Sequence, residues 1–150
     1  FCPSISEVQY EFYNEEIALA HEIGVGIQPF KKEVFFQRTS VLGEEYMGEG
    51  CNVPFEEQWE VGFGTGPFTI QNRYVTEDVP VGCHVYHELG KKFGVATPVI
   101  DSMIVLGGVM NKTNYFETGL KLSDLGIEHL SKEQLLTYLR EGDYIEPKEG

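Results

Sequence analysis

The segment Asn72-Arg-Tyr-Val-Thr-Glu-Asp-Val-Pro80 places the guanidinium of Arg73 five residues before the carboxylate of Asp78, at what reads as the mouth of a helix. A planar guanidinium grips a carboxylate ligand through two parallel hydrogen bonds. The same spacing also fits a plain surface ion pair from Arg73 to Asp78 or Glu77 over a capped helix start, worth under about 1 kcal/mol. Spacing alone favours the plainer reading.

Other chemistry has less support. His84 and His87 lie three apart with Glu88 adjacent, a spacing that can put two imidazoles on one metal. A stable site needs three or four ligands, so both are read as solvent-facing or interdomain histidines and no metal is expected. His21 and His129 have no evident partners in the sequence. No nucleophile elbow of the G-x-S-x-G type is present, which removes support for acyl transfer. In Gly62-Phe-Gly-Thr-Gly66, Pro67 stands where the last glycine of G-x-G-x-x-G should be and no apolar strand precedes it, so a plain turn is expected. Trp59 reads as packing filler, and Glu44-Glu45 and Glu56-Glu57 as solvated faces.

The elements that must hold Arg73 and Asp78 come from a chain of 150 residues, 41% apolar, enough for one core. Its net charge of -13 repels phosphate backbones, so nucleic acid and anionic lipid are poor partners. A small anionic substrate would need a local cation working against that field, which gives each arginine interest. There is no apolar run of spanning length and no signal-peptide pattern in Phe1 to Glu7. Three widely spaced cysteines fit neither a disulfide framework nor a zinc site; reduced thiols in a cytoplasmic protein are expected.

Helical periodicity dominates. Ile5, Val8, Phe12, Leu19 and Ile23, with Ile17 and Ala20 beside them, predict a helix from Pro3 to about Ile23, closed by Gly24 and Gly26. Residues 27 to 72 read as short helices and loops, with Lys31 to Thr39 ambiguous between helix and strand. Thr76 to Pro80 predicts a helix start with Thr76 as cap, running to Phe93 and burying Val79, Cys83, Tyr86, Leu89 and Phe93 before Gly94. Thr97-Pro98 opens a helix that is apolar nearly all round to Met110, expected at the buried centre of the bundle. Ser131 and Gln134 have capping-box spacing before Leu135, Leu136 and Leu139, with an end near Gly142 and a polar tail at 143–150.

Asn72 through Pro80, continued by Glu88-Leu-Gly-Lys-Lys-Phe-Gly-Val-Ala-Thr-Pro-Val-Ile100, resembles the C-terminal domain of the octopine/nopaline (opine) dehydrogenases. Pro3-Ser-Ile-Ser-Glu-Val8 resembles the start of that domain, and Leu122-Ser-Asp-Leu-Gly126 with Leu130-Ser-Lys-Glu-Gln-Leu-Leu136 its close. Residues 27–70 add little. The resemblance implies an all-α fold, a helical bundle like the C-terminal domain of 6-phosphogluconate dehydrogenase, over residues 1–142. It also implies an N-terminal Rossmann domain, absent from this chain, that binds NAD(H) or NADP(H); no cofactor-binding residue is expected here.

By that resemblance the reaction is reductive condensation of an amino acid with a 2-oxo acid such as pyruvate. Arg73 would hold the oxo-acid carboxylate, with Tyr74 and Thr76 beside it as substrate-binding residues. Asp78 would be the catalytic partner of a histidine in a segment preceding Phe1, keeping that ring in one tautomer and basic enough to exchange a proton. The Rossmann domain would be the main protein partner, and an uncovered docking face would favour self-association, with a homodimer as one form. Two rivals remain at this point: a non-catalytic acidic helical module that binds a protein, and the helical domain of another reductase of the 6-phosphogluconate dehydrogenase type, acting on a hydroxy acid.

Overall fold

A computed structural model describes residues 3–35 and 69–142. Among these the secondary structure is helical, with no strand. The elements in order are α1 (Pro3–Ile23), α2 (Lys32–Phe35), α3 (Arg73–Thr76), a π-helical turn (Val79–Cys83), α4 (His84–Phe93), α5 (Pro98–Asn111), α6 (Tyr115–Thr118) and α7 (Lys132–Glu141). Gly43 to Gly66, Trp59, both glutamate pairs and the 143–150 tail lie outside the described residues.

α1 runs over the predicted span and ends where Gly24 takes φ +93°, a value reserved for glycine; Gly26 is not needed in this way. Its inward stripe is narrower than the periodicity suggests. Phe12, Leu19 and Ile23 pack inward, whereas Ile5 and Val8 in the first two turns are exposed. α2 resolves the described part of the ambiguous segment as helix, and it is tied back to α1. The Phe30 amide donates to the Tyr13 hydroxyl at 2.8 Å, Tyr13 stacks on Phe35 at 4.7 Å, and Lys32 pairs with Glu7.

Two apolar clusters share Leu89. In the first, Leu19, Ile100, Ile104 and Tyr115 are buried, with Phe12, Val79, Cys83 and Tyr86 against them. The second joins Ile23, Leu130 and Leu135 to Phe93, Ile127 and Leu136. α1, α4 and α5 therefore wall one core, and α7 closes the second under a full capping box between Ser131 and Gln134. Leu139 falls beyond it and is exposed.

α5 departs from expectation. It buries Ile100, Ile104, Gly107 and Gly108 on one face, but Val105, Leu106, Val109 and Met110 are exposed on the other. Periodicity cannot separate a helix buried all round from one whose second face lacks a neighbour. Its capping also differs. Thr97 occupies the cap position and Pro98 the first turn, yet the Thr97 side chain makes no cap bond. Glu15 of α1 does that work, its two carboxylate oxygens accepting from the amides of Val99 (2.7 Å) and Ile100 (2.9 Å). A carboxylate at a helix N-terminus meets both unpaired N–H groups and the positive end of the dipole. Glu15→Ala is expected to cost about 1–2 kcal/mol, by analogy with lost caps, and to lower the melting temperature by several degrees in calorimetry. An unchanged melt would show the contact to be dispensable.

Candidate functional site

Arg73, Tyr74 and Thr76 all lie in α3, a single turn that forms because Asn72 caps it: the Asn72 side chain accepts from the Tyr74 amide at 3.2 Å. Asn72 thus starts a separate turn that ends at Thr76, and Thr76 is not the cap of the helix that follows. The Thr76 hydroxyl instead donates to the Asn72 carbonyl at 3.2 Å, an interaction within the turn. Asn can accept from an amide two residues on and so starts a turn without a helical run behind it.

α3 does not flow into α4. Glu77 interrupts, and Asp78 sits at the N-cap of the π turn with no side-chain cap bond. Pro80 at the second position of that turn lacks an N–H, so no bond is lost there. π turns are rare and recur at functional sites, where the extra residue re-aims what precedes it. Arg73, Tyr74 and Asp78 are all exposed. Arg73 Nη2 lies 3.4 Å from Glu77 Oε1, while Asp78 has no hydrogen-bond or ion-pair partner among the described residues. Glu77, not Asp78, is therefore the partner of Arg73, with both side chains more than half exposed and the pair worth little. A bidentate ligand would outcompete a single long contact of this kind.

Behind Asp78 the helix start is acidic and half-buried. Burial, followed by the charges of Glu16 and Asp78, pushes the Cys83 thiol up from 9.0 to about 11. Burial and the neighbouring Glu16 likewise push the Tyr86 hydroxyl up to about 12, and Glu16 is itself raised chiefly by burial, against a hydrogen bond from Tyr86. Cys83 is a protonated, inert thiol at neutral pH.

This gives a sign for the alkaline limb. The folded-state value is raised, so the stabilisation is complete below the unfolded pKa near 9 and is lost as pH rises toward about 11. Denaturation midpoints should fall across that window, and Cys83→Ala should flatten the fall. Parallel curves for the two proteins would remove Cys83 as its source.

Neither histidine of the 84/87 pair is merely solvent-facing. His84 is 1% exposed, with both ring nitrogens on backbone carbonyls. His87 is mostly buried, its Nδ1 at 2.8 Å from Asp101 Oδ1, which also accepts from the Thr97 hydroxyl at 3.1 Å. The two rings lie 5.8 Å apart, and no metal-competent cluster exists among the described residues. Sequence reasoning missed Glu15 and the His87–Asp101 pair because their partners lie 84 and 14 residues apart on separate helices, outside any local pattern.

Three of the described helix starts offer no free amides to a dinucleotide's pyrophosphate. A pyrophosphate wants free amides at a helix N-terminus beyond a strand and a glycine turn. Here the α5 terminus is filled by Glu15 and the α7 terminus by its own capping box, and α4 begins inside a π turn.

Taken together, the fold and the site define an all-α domain with a cationic and an acidic group exposed where a one-turn helix meets a π turn. The chain belongs to the octopine/nopaline dehydrogenase family, as its alpha-helical domain. The family model described as NAD/NADP octopine/nopaline dehydrogenase, alpha-helical domain, matches residues 1–111. An opine dehydrogenase of Arthrobacter sp. (strain 1C) is 26% identical over 132 residues, which cover 86% of this chain and 34% of that protein. The chain thus spans about a third of the length of this relative. The family is one of oxidoreductases, and no helix among the described residues is long and apolar enough to cross a membrane.

Proposed function

We propose that residues 1–142 form the substrate-binding and catalytic helical domain of an NAD(P)H-dependent opine dehydrogenase, which condenses an amino acid with a 2-oxo acid such as pyruvate and reduces the product. The observation that carries this reading is the helix start in which Arg73 and Asp78 are both exposed and Asp78 has no partner of its own. Arg73 grips the oxo-acid carboxylate, with Tyr74 and Thr76 at its edge. Asp78 orients and charges the histidine that handles the proton at the carbonyl oxygen. Hydride delivery belongs to the nicotinamide cofactor held by the Rossmann domain, and no group described here takes part in it.

The exposed face of α5 supports the need for a second domain. Val105, Leu106, Val109 and Met110 present apolar surface on a strongly acidic chain, and the Arthrobacter relative has about two thirds of its length outside the aligned part. A Rossmann domain over this face is the occupant the reading implies; a non-catalytic interaction module would use the same face for a foreign protein.

The test has two arms. The chain alone should show no saturable binding when titrated with NADH under fluorescence, and the full-length protein should oxidise NADH only when an amino acid and a 2-oxo acid are both supplied. Micromolar NADH binding by the chain alone would sink the division of labour. Turnover with the oxo acid alone would point to a hydroxy-acid reductase.

A further inference from the structure

Among the described residues His84 is the larger of the two buried polar side chains, His84 and Thr97, and the proposed chemistry leaves it unused; its surroundings link it to Asp78. Its Nδ1 faces the Leu120 carbonyl at 2.9 Å and its Nε2 the Phe116 carbonyl at 3.2 Å. Carbonyl oxygens only accept, so the ring is the donor in both contacts, and a neutral ring makes one of them at a time. Both carbonyls belong to one short stretch, from α6 into the turn after it. That stretch returns a bond of its own: the Leu120 amide donates to the Pro80 carbonyl at 2.8 Å, inside the π turn that begins directly after Asp78.

The fit around the ring is tight. A Cβ on Gly119 would stand 2.4 Å from His84 Cγ, so only glycine leaves room for the imidazole under that backbone. On the other side of the π turn, Val79 fills a notch over Gly107 of α5, where an added Cβ would come within 3.1 Å of Val79 Cγ1. The turn is thereby held between α5 and the 116–120 stretch. A π turn carries an extra residue relative to an α turn, and such an irregular segment keeps one geometry only when its surroundings fix it.

We propose that His84 is a positioning residue for Asp78: it holds the 116–120 stretch against Pro80 and so fixes the π turn at whose start Asp78 sits. The proposal rests on the reading of Asp78 as the partner of the catalytic histidine. Arg73 is set by the Asn72 cap one turn earlier, so losing the clamp should disturb Asp78 more than oxo-acid capture.

The test is a double-mutant cycle in the full-length enzyme. His84→Leu should lower kcat about ten- to a hundredfold, the effect of roughly 1 Å of misplacement, while KM for the oxo acid changes less than about twofold. In an Asp78→Asn background the same substitution should cost little more, because the group it positions is already disabled. His84→Asn, which keeps a donor near the Leu120 carbonyl, should recover part of kcat and serves as the deciding variant if His84→Leu does not accumulate folded. An impaired Asp78→Asn enzyme on which the His84 substitution still multiplies the loss in full would overturn the proposal alone. An Asp78→Asn enzyme with wild-type turnover would overturn the reading of Asp78, and the proposal with it.

Discussion

Asp78→Asn in the full-length enzyme is expected to lower turnover by about two orders of magnitude or more while leaving KM for both substrates nearly unchanged. The amide has the size of the carboxylate but not its charge, so binding surfaces are kept and stabilisation of a protonated histidine is lost. The limb of the pH–rate profile that reports that histidine should move to lower pH, since a ring without its counter-charge gives up its proton more readily. Asp78 has no structural partner among the described residues, so a loss of this size would not come from unfolding. Wild-type turnover with an unmoved profile would assign Asp78 to the surface.

Arg73→Lys is expected to behave in the opposite way, raising KM for the 2-oxo acid about ten- to a hundredfold with far less effect on the amino acid. A point charge replaces a two-pronged grip, and one charge-assisted hydrogen bond is worth about 1.5–3 kcal/mol. Stability should barely change, because the Arg73–Glu77 contact is long and exposed. The two variants therefore separate capture from proton handling. If Arg73→Lys leaves oxo-acid kinetics untouched, Arg73 belongs only to its pair with Glu77.

Local patterns in the sequence determined the helical class and most boundaries. The α1 span, the Gly24, Gly94 and Gly142 stops with positive φ, Pro98 in a first turn and the Ser131–Gln134 capping box all depend on interactions within a few residues. The motif around Arg73 was equally legible as a motif, and the family match agrees with the fold it implied. Its geometry was not. Asn72, four residues before Thr76, caps a separate one-turn helix, and the helix expected to start at Thr76 and run to Phe93 begins instead after Glu77 and enters α4 through a π turn.

Tertiary structure alone decided the rest. Glu15 caps a helix 84 residues away, His87 finds Asp101 on the next helix, and His84 lies among backbone carbonyls of a stretch more than thirty residues on. A sequence states that such groups are polar, and their partners appear only when helices come together. The exposed half of α5 follows the same logic in reverse: apolar periodicity records that a face is fit for burial, whereas burial itself requires a neighbour, and among the described residues Val105, Leu106, Val109 and Met110 have none that covers them.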